Sequence, residues 1–167
     1  MNPALLARLD AHWATHLRCQ PADLRSQNTL IVPDPARAGA TVCLIGGACI
    51  MAAAPAVAAA LKQSVGMRAP AQAFEPGRLR YATADFALPL CGPEAILIAE
   101  VPEIKWNGIH WIEASESEIE VQAAVAMATG IPLMTVPLQR RLARLTAESC
   151  GFQLYAAVVH LGEKFNL

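Results

Sequence analysis

A chain of 167 residues that is 54% hydrophobic and 16% charged has room for one domain with a sizeable core, and it is too apolar for disorder. A net charge of −1 and an isoelectric point near 6.4 exclude a general binder of nucleic acid or anionic membranes. The longest apolar run, Ala48 to Leu61, is shorter than the ~20 residues that span a bilayer, and it contains Pro55. Charge enters early, at Arg8 and Asp10, which speaks against a secretory signal, so a cytoplasmic protein is expected. The cysteines, Cys19, Cys43, Cys49, Cys91 and Cys150, are scattered without C-x-x-C spacing. That pattern predicts reduced, buried thiols rather than a zinc or redox site.

In chain order, Pro3 to Arg18 predicts an amphipathic helix, because Leu5, Leu6, Leu9, Trp13, His16 and Leu17 share one side at helical spacing. Pro21 to Leu24 starts a second, short helix. Thr29 to Val32 is a strand that ends at Pro33, and Pro33 to Ala40 is a loop. Two apolar runs, Thr41 to Ile45 and Ala48 to Ala52, flank Gly46-Gly47. This is a hairpin signal, since both turn positions require positive φ. Pro55 suits the first turn of a helix that runs to about Val65.

Gly66 to Arg80, with Pro70 and Pro76, is expected to be loop with a little helix. Cys91-Gly92-Pro93 reads as a turn and Ala95 to Ala99 as a buried strand. Val101 to Trp111 connects two halves, 1–103 and 104–167, which together make one compact unit. Ser117 and Glu120 fit a capping box for a helix that runs to Thr129 and stops at Gly130. Ile131 to Val136 is a short strand, Gln139 to Cys150 a helix, and Gly151 to Leu161 a closing strand. The succession of strands with interleaved helices predicts an α/β (α+β) fold, with helices packed on both faces of a mixed sheet.

This ending, strand then helix then Gly151-Phe152 then strand, resembles the C-terminal half of GNAT-superfamily acetyltransferases. The first half, with its Ala4–Trp13 helix, Pro21–Arg25 segment, Gly46-Gly47 hairpin and Gly92-Pro93 turn, is similar to the accessory N-terminal region that one group of that superfamily carries. The resemblance implies a GNAT-like mixed sheet and acetyl-CoA as cosubstrate. It also implies a Gln/Arg-x-x-Gly-x-Gly/Ala turn whose backbone N–H groups hold the pyrophosphate at a helix start. That turn should fall near Ile109 to Ser117, where the chain has neither glycine nor arginine. Instead Glu113, Glu116, Glu118 and Glu120 surround the helix start. Such carboxylates stabilise a helix by ~0.3–1 kcal/mol each, and they repel a pyrophosphate. The position of the family's tyrosine acid, five residues before Phe152, holds Ala147. Arg140 stands where asparagine is common.

If activity is retained, the candidate catalytic groups are Tyr155, His110 and Glu113. Tyr155 would protonate a leaving thiolate, and His110, beside Trp106, Trp111 and Glu113, would act as a base. The candidate coenzyme contacts are then Ser115, Ser117 and Arg140. The bland alternatives are a half-buried strand tyrosine with its hydroxyl at the rim, a capped turn at Trp106-Asn107-Gly108, and a solvated acidic helix start. His12 and His16 lie one turn apart but lack a third ligand, and Cys49 lies mid-strand with nothing to activate it. No metal site is expected. The reading this supports is a GNAT-like protein with a degraded acyl-CoA site that serves binding or assembly, with a homodimer as the expected partnership. The alternative is an acyl-CoA-dependent N-acetyltransferase with an unusual coenzyme site, acting on a small amine or a protein amine.

Overall fold

The computed structural model describes residues 2–99, 133–149 and 151–162. The Val101–Trp111 connection, the Ser117–Glu120 capping box and its helix lie outside the described residues. Among those described, a mixed six-stranded sheet is flanked by five α-helices and two short 3-10 turns. The class is mixed α/β.

Helix α1 spans Pro3–Leu17, with the Asn2 side chain accepting from the Ala4 N–H at 2.9 Å and proline in its first turn. Its buried positions, Leu9, Asp10, Trp13, Ala14 and Leu17, follow helical spacing. A 3-10 turn, Pro21–Arg25, leads to strand β1, Thr29–Pro33. Strands β2, Ala40–Ile45, and β3, Ala48–Ala53, form the predicted hairpin. Ile45 pairs with Ala48 across the Gly46-Gly47 turn, whose φ values are +56° and +92°. Two positive φ angles in succession are the turn that matches strand twist, and glycine takes them without strain.

Helix α2, Pro55–Val65, begins at the expected proline. The stretch expected to be mostly loop instead holds two helices, α3, Pro70–Ala73, and α4, Pro76–Ala82. Each opens on its proline, so the residues read as loop punctuation act here as first-turn residues. Cys91-Gly92-Pro93 is likewise not a turn. It lies within β4, Leu90–Ile98, as a bulge where the register against β6 shifts between Cys91 and Glu94, with Gly92 at φ +98°. Strand β5 is Leu133–Pro137, helix α5 Arg141–Ser149 and strand β6 Gln153–Leu161.

The strand order is β1-β3-β2-β6-β4-β5. Only β1 and β3 run parallel; the other neighbours are antiparallel. Strand β6 does not close the sheet at an edge. It is interior, hydrogen-bonded to β2 on one side and β4 on the other, which explains why Tyr155 through Leu161 are all buried. The sheet buries both faces. Leu9, Trp13 and Leu17 of α1 pack with Ile45, Ile50, Ile96 and Val158. On the opposite face, Val57, Leu61 and Val65 of α2 pack with Val42, Met51, Val159 and Leu161. Each such side chain contributes about 1.5–3 kcal/mol on burial. A smaller cluster under α5 joins Ala147 and Phe152 to Leu97, Met134 and Val136.

Candidate functional site

Helix α1 brings a carboxylate into the core. Asp10 is 8% exposed and sits on the stripe that faces the sheet. A lone buried carboxylate is costly, and three contacts offset that cost. Arg25 grips it twice, Nε to Oδ2 at 3.0 Å and Nη2 to Oδ1 at 2.6 Å. The Tyr155 hydroxyl donates to Oδ1 at 2.8 Å. The Arg25 guanidinium also lies 5.8 Å from the centre of the Tyr155 ring, and the Trp13 ring is 6.4 Å from the same ring. The Arg25 chain passes over the hairpin turn, where a Cβ on Gly46 would lie 2.6 Å from its Nη1. One ion pair thus ties α1, the 3-10 turn, the hairpin and β6 together.

Tyr155 is therefore more deeply seated than a rim residue. Burial, followed by the Asp10 hydrogen bond and charge, pushes its hydroxyl well above the usual tyrosine range, so it holds its proton. The proton it would donate is already directed at Asp10.

A second polar group gathers at the C-terminal end of α1. Arg37 donates from Nε to Asp34 Oδ2 at 3.2 Å, from Nη1 to Thr41 Oγ1 at 2.9 Å and from Nη2 to the His16 carbonyl at 2.6 Å. Thr41 Oγ1 lies 3.5 Å from His160 Nδ1, and Arg18 Nε lies 3.7 Å from Asp34 Oδ2. The His16 imidazole is lowered to about 4, by burial first and then by the charges of Arg37, His12 and Arg18. His160 is lowered to about 4 by burial, then by His16 and Arg37. Burial also lowers His12. At neutral pH, His16 and His160 are neutral, as their surroundings require. A neutral imidazole is a competent proton acceptor, but His160 is only 5% exposed.

Among the described residues, no group of three or more His, Cys, Asp or Glu is placed to hold a metal ion. Burial pushes the Cys49 thiol up to about 12 and the Cys19 thiol up to about 11, and raises Cys43 further. All three are held as thiols rather than as nucleophilic thiolates. Among the described residues, no helix is long and apolar enough to cross a membrane.

Of the residues singled out from the sequence, His110, Glu113, Ser115 and Ser117 lie outside the described residues. Arg140 is exposed just before α5. Its N–H donates to the Pro137 carbonyl at 2.9 Å, and its carbonyl accepts from the Arg144 N–H at 3.2 Å. Arg144 pairs with Glu148 at 3.3 Å on the same helix. Tyr155 is brought together with Asp10 and Arg25, partners that the sequence reading did not group with it. The available signal was Asp10 itself, a charge inside the Leu9–Trp13–Leu17 stripe. His160, on an interior strand, is revealed only by the pairing of β6 with β2. No family model matches the chain, and neither do any curated protein or solved structure.

Proposed function

We propose that this protein is a cytoplasmic, GNAT-like scaffold that serves binding or assembly, its acyl-CoA site degraded. The observation that carries the reading is the seat of Tyr155. A general acid must reach a leaving group, and this hydroxyl is buried under α1 and committed to Asp10 at 2.8 Å. A second feature supports it. A coenzyme wedge needs neighbouring strands that splay apart, whereas β4 and β5 stay in register from Glu94–Pro137 to Ile98–Leu133. The sequence of the expected pyrophosphate turn adds Glu113, Glu116, Glu118 and Glu120, which repel the anion.

The test is a thermal shift with acetyl-CoA. A ligand at a hundred times its Kd adds ~2.7 kcal/mol of stability, a readily visible displacement. The expected outcome is no displacement up to millimolar coenzyme. A clear, saturable stabilisation would favour an N-acetyltransferase with an unusual coenzyme site and overturn the scaffold reading.

A further inference from the structure

Among the described residues, strand β1 is an edge of the sheet, and its register fixes which backbone groups it leaves outside. The Cys49 N–H donates to the Asn28 carbonyl at 3.0 Å just before the strand, and the Asp34 N–H donates to the Ala53 carbonyl at 2.7 Å just after it. Parallel bonding alternates along a strand, so Leu30 and Val32 turn their backbone groups to β3. Thr29, Ile31 and Pro33 turn theirs outward. Pro33 has no N–H, so the outer edge offers the donors and acceptors of Thr29 and Ile31, followed by a lone carbonyl.

That set is self-complementary. We propose that β1 pairs antiparallel with β1 of a second copy, across a two-fold axis at Leu30, joining two six-stranded sheets into one. Thr29 of each copy then faces Ile31 of the other, and each such pair exchanges both of its N–H···O=C bonds. Every outward N–H of the strand is used. Pro33 falls opposite Gln27, which has left-handed backbone (φ +62°) and lies outside the strand, so its missing donor costs nothing and it limits the pairing to this register. Leu30 faces its own copy on the α1 side of the sheet, an apolar cross-strand pair. An open groove of about 650 Å³, lined also by Met67 and Arg68, borders the start of this edge at Thr29 and Leu30. A net charge of −1 opposes self-association only weakly. The proposal rests on the assembly reading above and names the partner.

The experiment is molar mass by light scattering across a dilution series. The wild type is expected to show twice the 17.8 kDa of the chain at high concentration. Ile31→Pro removes an outward donor and no bond to β3, so it is expected to give the single-chain mass with an unchanged circular dichroism spectrum. Leu142→Glu, on the exposed side of α5, is expected to leave the doubled mass intact. A wild type of single-chain mass throughout, a doubled mass that survives Ile31→Pro, or one lost with Leu142→Glu overturns the proposal. Should Ile31→Pro fail to fold, amide exchange on the wild type decides. Thr29 and Ile31 should exchange slowly when concentrated and quickly on dilution, and concentration-independent exchange sinks the pairing. Acetyl-CoA binding by the dimer would refute the scaffold reading alone, and a monomer that ignores the coenzyme would refute the pairing alone.

Discussion

The two polar clusters beneath α1 solve the same problem by opposite means. At the middle of the helix, Asp10 is buried as a charge and compensated by a guanidinium and a phenol. Near the helix end, the half-buried His16 and the buried His160 are kept neutral by burial first, and then by nearby positive charge that includes Arg37. The first cluster centres on a compensated charge, and the second sets neutral imidazoles beside an Arg37–Asp34 ion pair. A single helix is therefore fastened at its middle by an ion pair, and at its C-terminal end by Arg37 beside imidazoles that stay neutral. Tyr155 is committed to Asp10 and His160 is buried, which is why both clusters read as architecture.

The sharpest way to break the contrast is to remove the carboxylate. Asp10→Ala leaves the Arg25 charge and the Tyr155 hydroxyl without their shared acceptor. Losing one partner of a buried pair costs 3–5 kcal/mol, and the partial exposure of Arg25 places this case at the lower end, about 3 kcal/mol. The denaturation midpoint should fall accordingly. A loss below about 1 kcal/mol would mean that the ion pair is solvated rather than structural.

The C-terminal end of the helix should respond to acid. The folded values of His16 and His160, about 4, lie below the free value of 6.5. Between those limits the unfolded chain binds more protons than the folded one, so stability is retained above pH 6.5 and falls as pH drops towards 4. The slope is on the order of 1 kcal/mol per pH unit for each histidine. Urea titrations across this window should show that slope, and His160→Gln should reduce it. A pH-independent midpoint would show that the imidazoles are accessible and titrate normally.

The local elements were largely legible in the sequence. Pro3, Gly46-Gly47 and Pro55 each act through backbone geometry within a few residues, and each marks the expected boundary. The errors share a cause as well. Pro70, Pro76 and Gly92-Pro93 read as breakers because proline and glycine punctuate both loops and helix starts, and a bulge inside a strand has the composition of a turn. The seat of Tyr155 was not legible. It depends on β6 inserting between β2 and β4, so that residue 155 meets residue 10 through sheet order, which local periodicity does not encode. Asp10 could have been noticed as a charge on a buried stripe, but its partners could not have been named.

The most direct test of the account is a double-mutant cycle on Asp10 and Tyr155, with Asp10→Asn and Tyr155→Phe measured singly and together by denaturant unfolding. If Tyr155 is the structural partner of Asp10, Tyr155→Phe alone should cost about 2 kcal/mol, and the pair should show a coupling energy of about 1 kcal/mol or more. Strictly additive losses would mean that the hydroxyl does not depend on Asp10, and that Tyr155 is available for other chemistry.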